Sequence, residues 1–352
     1  MNNNLKLIVF ENAKELGEKV NKHLNEIRNT TCNYIVPITS SRFSNGEGKV
    51  RIDETVRDKD LYIISDVGNY SLSYKFHGMN HFISPDEHFQ DIKRLISATS
   101  GHASKMNIIM PLLYQSRQHK RKGRESLDCA VALQELERLG VRNIITFDAH
   151  DPNVVNAVPN LSFDNFYPTN IIIDELEKNE ETNNILVISP DMGAIERARY
   201  YADMLKCDVG LFYKRRDLTK IVNGKNPIVE HVYLGANVKD KNILIVDDMI
   251  SSGASMLETA ETLKERGAKK IFLAATFALF TEGTEVFDQA YNKEIYNKVY
   301  VTNLSYVSQE IKNKEWYVEV DCSMQMAKII DKLNKKESIA EIYDAGKTRI
   351  KK

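Results

Sequence analysis

The chain has too few cysteines, too widely spread, for a disulfide scaffold or a zinc module. Its four, Cys32, Cys129, Cys207 and Cys322, never form a CxxC pair, and scattered thiols read as reduced side chains. An excess of one charge is missing too: 48 Lys and Arg stand against 49 Asp and Glu. With no bulk field to attract them, nucleic acid and anionic membranes are not expected partners. No apolar run is long enough to cross a bilayer, and the opening "MNNNLKLIVFENAKEL" has no signal-peptide architecture. The expected location is therefore the cytoplasm. Two phosphate-binding signatures are also lacking. "DAGKT" has Glu341 where a Walker loop needs its leading glycine, and no GxGxxG occurs.

What is present is length and alternation. At 352 residues with 42% hydrophobic content, the chain is expected to form two domains. Short runs rich in Ile and Val recur: "LKLIVF", "LYIIS", "NIIMPLL", "NIITF", "NILVIS", "NILIV", "IFLAATF" and "VYVTN". Such runs predict central strands of a parallel sheet, buried on both faces. Between them lie helical patterns such as "SLDCAVALQELERLG" and "SMLETAETLKERG", which stop at Gly140 and Gly267. The alternation predicts α/β architecture. The chain also echoes itself: "VRDKDLYIISD" (56–66) resembles "VKDKNILIVDD" (238–248), and "RLGVRNIITFDA" (138–149) resembles "ERGAKKIFLAAT" (265–276). The two offsets differ, which predicts two similar halves and not a tandem solenoid. The polar and aromatic stretch at 69–88 reads as an insertion into the first half. Its "HGMNH" places His77 and His81 at helical spacing, with His88 beyond; without a nearby cysteine, exposed histidines are expected there and not a zinc site.

The segment "KNILIVDDMISSGAS" (241–255) carries the chemistry. In open α/β sheets ligands bind beyond the carboxyl ends of strands. The small-residue loop Ser251, Ser252, Gly253, Ala254 and Ser255 offers amides and hydroxyls to a phosphate, with a helix expected from about Met256. Asp247 and Asp248 would repel that phosphate directly, so they are expected to face ribose hydroxyls, with a divalent cation as a bridge. The plain alternative is an acidic turn that caps the next helix.

Strand, two acids and a Ser/Gly loop together resemble the phosphoribosyl-diphosphate motif of phosphoribosyltransferase-fold proteins. Five further segments, in order between about residues 40 and 305, resemble one branch, the ribose-phosphate pyrophosphokinase family. "RFSNGEGKVRI" resembles its first ATP loop and implies Phe43, Asn45 and Glu47. "YQSRQHKRKGRE" resembles its ATP-phosphate loop and implies Arg117 and Gln118, with Arg124 and Glu125 at the far end. "TFDAHD" implies His150 as a ligand of Mg²⁺, with Asp148 close by. "VISPDMGAIERA" implies Asp191, at the metal and the ribose phosphate, and Gly193. "LFYKRRD" implies Lys214 and Arg216 as the catalytic pair, leading into a loop, "LTKIVNGKNPIVEHVYLG", that could close over the site.

The resemblance implies two similar phosphoribosyltransferase-type domains, each a mainly parallel sheet flanked by helices. The expected division is 1–160, with the ATP loops, and 161–322, with the ribose-phosphate loop; a helix at about 323–352 packs back on the first domain. The implied reaction moves the diphosphoryl group of ATP to the 1-hydroxyl of ribose 5-phosphate. The partners are those two small molecules, Mg²⁺, and further copies of the chain in a homo-oligomer, a hexamer built from dimers. There are departures. Ser251 and His119 stand where the family usually has acids, Ala194 replaces a glycine, and the ATP loop is one residue shorter. These motivate an alternative, a nucleotide-binding paralogue without catalysis that regulates a true synthetase. A simple phosphoribosyltransferase is a third reading; it would need one such domain and no ATP loop.

Overall fold

The computed structural model describes residues 4–216 and 228–343; side chains at 214–216 and 228–231 lie outside what is described. The chain divides into two units. One comprises Met1–Pro168, Asn303–Ser308 and Asp321–Tyr343; the other is built on Thr169–Thr302 and Gln309–Val320.

The first unit begins with β1 (Leu5–Val9), α1 (Lys14–Arg28), β2 (Ile38–Arg42), β3 (Gly48–Ile52) and β4 (Asp60–Ile64). It continues with β5 (Ser73–Phe76), β6 (Met79–Phe82), α2 (Pro85–Ala98), β7 (Lys105–Ile109), α3 (Asp128–Arg138), β8 (Asn143–Phe147) and β9 (Ser162–Phe166). A five-stranded parallel sheet runs β1-β4-β7-β8-β9. All five residues of β4 and of β8 are buried, as unbroken apolar runs require when helices cover both faces of a sheet. Ile63, Ile108 and Ile144 pack with Ile92 and Leu95 of α2 and Leu133 and Leu136 of α3. The helix α2 starts where "SPDE" demands it. Ser84 accepts from the Glu87 backbone, Glu87 accepts from the Ser84 backbone, and Pro85 fills the first turn.

The segment at 69–88 contains a β-hairpin, β5 paired antiparallel with β6, so His77 and His81 do not share a helix face. His88 is buried, not exposed. Its Nε2 donates to the Asn69 carbonyl, 2.9 Å away, and its Nδ1 accepts from Asn12 at 3.0 Å.

The second unit holds α4 (Thr169–Asn179), β10 (Ile185–Ser189), α5 (Ile195–Leu205), β11 (Val209–Arg216), β12 (Ile228–Leu234) and β13 (Asn242–Ile250). Then come α6 (Ala254–Glu265), β14 (Lys270–Ala278), α7 (Glu285–Asn292), β15 (Lys298–Thr302), α8 (Gln309–Lys312) and β16 (Tyr317–Val320). Its sheet order is β12-β11-β10-β13-β14-β15-β16, parallel apart from β12. The run β10-β13-β14-β15-β16 repeats the order of the first sheet. In that alignment β4 and β13 are both second, so the first echo marks equivalent strands. The second echo pairs β8 with β14, fourth with third, and is not a true correspondence.

Two helices close the chain, α9 (Ser323–Lys335) and α10 (Ala340–Tyr343). The helix α9 packs on α1, where Arg28 donates to Asp331 at 2.6 Å and to Asn334 at 2.8 Å. No helix among the described residues is long and apolar enough to cross a membrane.

Candidate functional site

In the second unit the chemistry gathers at the carboxyl ends of β10 and β13. The strand β13 runs on through Ile250, because its pairing with β14 continues to Met249–Phe277 and Ile250–Ala278. Asp247 and Asp248 thus lie within the strand, and do not follow it. Neighbouring positions of a strand face opposite ways, and the two acids differ accordingly. Asp248 is 3% exposed, whereas the side chain of Asp247 is 23% exposed and lies 3.8 Å from Arg197. Burial pushes the Asp247 carboxyl up, and the charges of Asp248 and Asp191 add to it. Arg197 and the Asp248 backbone N–H, which donates to Asp247 at 2.9 Å, pull the other way. A carboxyl raised in this way by burial and neighbouring acids is a place where hydroxyl donors are welcome.

Asp191 opens the loop before α5. One of its oxygens accepts from the Gly193 backbone at 2.8 Å and from Ala194 at 3.2 Å. The loop 251–255 leads into α6, which starts at Ala254, two residues ahead of the expected Met256. Gly253 has φ +76°, and a Cβ there would collide with the ring of Phe287, so glycine is required twice over. As the N-cap it supplies no side chain, so the first N–H groups of α6 receive no cap from that position. Ser251 Oγ lies 3.1 Å from Thr281 Oγ1, and Ser252 Oγ accepts from the Ala254 backbone at 3.5 Å.

Lys214 and Arg216 lie on β11, opposite His231 and Ile228 of β12; their side chains are outside the described residues. Of the expected closing loop, 217–227 also lies outside them, while 228–234 forms β12.

The first unit carries two further groups. Phe43, Asn45 and Glu47 sit together at the tip of the β2–β3 hairpin, where Asn45 donates to Glu47 at 2.9 Å and Phe43 is 55% exposed. Behind the tip, Arg42 makes two bonds to Asp91, at 3.1 and 2.6 Å. Tyr74 and Phe76 of the inserted hairpin lie against Gly46 of that same turn. The second group is the basic loop after β7. Arg117 is exposed, Gln118 donates to the Ser126 carbonyl at 2.7 Å, and Glu125 accepts from the Lys122 backbone at 3.2 Å. At the end of β8, Asp148 is buried with φ +42° and His150 is exposed. His119 of the basic loop lies 3.1 Å from Asp151, and its ring centroid is 5.4 Å from that of His150. Burial works against the charge on Asp151, yet hydrogen bonds from Asn153 and the positive charge at His119 and Lys120 hold its carboxyl below the usual range.

Comparison with known proteins bears on this arrangement. Residues 5–140 match the N-terminal domain of ribose phosphate pyrophosphokinase, and residues 169–321 match the phosphoribosyl transferase domain. A ribose-phosphate pyrophosphokinase of Ralstonia nicotianae is 30% identical over 285 residues, 79% of this chain and 80% of the relative. The chain belongs to the ribose-phosphate pyrophosphokinase family. The enzyme of that name from Haemophilus ducreyi is 28% identical over 311 residues, 87% and 90% of the two chains. The crystal structure of phosphoribosylpyrophosphate synthetase from Mycobacterium smegmatis shares the fold, with a TM-score of 0.77 at 21% identity over 95% of this chain and 99% of that one.

Within this ribose-phosphate pyrophosphokinase family member, two of the departures have local explanations. Ala194 has φ −91°, which any L-residue adopts, so a glycine is not needed there. Ser251 is held by Thr281, whose backbone N–H also donates to the Ser251 carbonyl at 3.0 Å. Sequence reasoning missed three partners: Arg197 beside Asp247, Thr281 beside Ser251, and Asp151 beside His119. Arg197 had a signal, since it falls in the first turn of the helix that follows Asp191. The other two pairs bring together residues some thirty positions apart, and no spacing announces them.

Proposed function

We propose that the chain transfers the diphosphoryl group of ATP to the 1-hydroxyl of ribose 5-phosphate, giving phosphoribosyl diphosphate and AMP for nucleotide synthesis in the cytoplasm. The observation that carries this is likeness to ribose-phosphate pyrophosphokinases across about nine-tenths of the relative's length, 90% for the Haemophilus ducreyi enzyme. The site geometry supports it. Asp247, the partly exposed acid, accepts from the ribose hydroxyls with Asp248 buried beside it, while the amides and hydroxyls of 251–255 donate to the 5-phosphate at the start of α6, where the helix dipole favours an anion. Phe43 stacks on the purine, Asn45 and Glu47 bond its edge, and Arg117 and Gln118 hold the phosphates; a guanidinium suits them because its planar fork reaches two oxygens.

In the reaction the oxygen of the ribose 1-hydroxyl bonds to the β-phosphorus and its proton passes to solvent. The bond from that phosphorus to the oxygen bridging the α- and β-phosphates breaks, and AMP leaves with the oxygen. Phosphoryl transfer of this kind is mostly positioning and charge neutralisation, and Lys214 and Arg216 supply the charge. Mg²⁺ ions, when bound, would neutralise oxygens of the transferred group, with His150 as a proposed ligand in the first unit and Asp191 in the second. Among the described residues no group of three or more His, Cys, Asp and Glu stands ready to hold a metal. That fits an ion that keeps waters and is held largely by substrate phosphates. The homo-oligomer implied by the family resemblance belongs to the same proposal.

No observation favours a non-catalytic paralogue. The test is an assay of the purified chain with ATP, Mg²⁺ and ribose 5-phosphate, following AMP. Formation of AMP that depends on the sugar is expected; nucleotide binding without AMP would overturn the proposal.

A further inference from the structure

We infer that His119, through Asp151, is a positioning residue that ties the basic loop bearing Arg117 and Gln118 to the strand end bearing His150, and so sets the grip on ATP. The inference rests on the proposed role of that loop in holding ATP phosphates.

Five cations, Arg117, Lys120, Arg121, Lys122 and Arg124, fall within eight residues, and such a cluster repels itself unless anions hold it. Two contacts close the loop on itself, Gln118 to Ser126 and Lys122 to Glu125. His119 reaches out of it. Lys120 to Ser126 are all exposed, yet the His119 side chain is only 9% exposed. Its Nδ1 is 3.2 Å from the Ser116 carbonyl oxygen; a carbonyl only accepts, so Nδ1 carries a proton. Its Nε2 is 3.1 Å from Asp151 Oδ2, a distance for an ion contact, though not aligned as a hydrogen bond.

Asp151 is itself fixed. Its Oδ1 accepts from the Asn153 backbone at 2.9 Å and so caps the short 3-10 helix Pro152–Ala157, which leaves Oδ2 directed at His119. The pair therefore joins a loop implied in holding ATP phosphates to a strand end implied in holding the metal that accompanies them. Its effect reaches both neighbours of His119: Arg117 two residues back in the loop, and His150, whose ring centroid is 5.4 Å away with the planes tilted by 52°.

The experiment uses the full chain and steady-state kinetics with ATP, Mg²⁺ and ribose 5-phosphate. His119→Ala, Asp151→Asn and the double variant are compared; Asp151→Asn keeps the cap to Asn153 while removing the charge. Each single change is expected to raise the KM for ATP roughly tenfold, with the KM for ribose 5-phosphate and the thermal midpoint unchanged. The double variant should be no worse than either single, as for residues that act as one unit. His119→Gln, which keeps a donor, should recover part of the loss. Unchanged KM values, effects that multiply in the double variant, or a fall in thermal midpoint that accounts for the loss would each overturn the inference. Arg117→Ala separates the two readings. If it leaves the KM for ATP at the wild-type value, the loop's role in ATP binding fails and the inference with it. If it raises that KM while His119→Ala is silent, only the inference fails.

Discussion

A cation beside a transferring diphosphoryl group acts when charge moves, not when substrate binds. Lys214→Ala is therefore expected to lower kcat by about 10²–10³, as loss of one preorganised electrostatic partner does elsewhere, with thermal unfolding near that of the wild type. Normal turnover in that variant would remove Lys214 from the mechanism. A second prediction concerns Asp66, which is 2% exposed, accepts from the Tyr306 backbone at 2.7 Å and faces the Ser305 hydroxyl at 3.0 Å. Burial pushes its carboxyl up to about 6, outweighing the hydrogen bonds from Tyr306, Ser305 and Gly68 that lower it. Below about pH 4 the group is protonated whether the chain is folded or not, and its contribution is fully present. As pH rises the unfolded chain releases the proton first, so stability falls by up to about 3 kcal/mol between roughly pH 4 and 6. Asp66→Asn should flatten that slope in denaturant titrations; an unchanged slope would show that Asp66 ionises freely.

Among the elements, the β2–β3 hairpin shows how an exposed tip is held. Its base sets Ile38, Val50 and Ile52 against the core, and nearer the tip the hairpin is fixed from behind by the Arg42–Asp91 pair, each side chain 7% exposed. Arg94 also donates to Asp91 at 2.7 Å, so Arg42→Ala leaves that buried carboxylate short of one partner but still paired, and should cost about 1–3 kcal/mol, read as the shift in a denaturation curve. A loss below about 1 kcal/mol would mean that water reaches Asp91. The same contrast explains which elements could be read in advance. Eight strands announced themselves because burial on both faces requires unbroken Ile and Val. The hairpin pairs β2–β3 and β5–β6, the short edge strands β9 and β16, and β12 carry no such run, since an exposed or edge strand has no reason to be apolar throughout. The loop 251–255 was legible because a left-handed glycine against Phe287 restricts the residues allowed. The pairs Arg197–Asp247 and His119–Asp151 were not, because each is made by the fold and leaves no periodic trace.

At the level of the whole molecule, the repeated strand order places β4 of one unit and β13 of the other at equivalent positions, which is why "DLYIISD" and "NILIVDD" read alike. The two strand ends have diverged in use. The equivalent acids, Asp66 and Asp248, are both buried; the strand ends differ one residue earlier, where the first has buried Ser65 and the second has Asp247, partly exposed beside Arg197, Asp248 and Asp191. One fold thus serves as a structural seat in one half and as the proposed sugar-phosphate seat in the other. The account stands on the chemistry of that second seat, and ³¹P spectroscopy of a turnover mixture tests it most directly. With ATP, Mg²⁺ and ribose 5-phosphate, both outer phosphorus atoms should leave ATP together and appear as a diphosphate on the sugar, with one AMP per product and no ADP. Formation of ADP, or an ATP spectrum that stays unchanged with the sugar present, would contradict it.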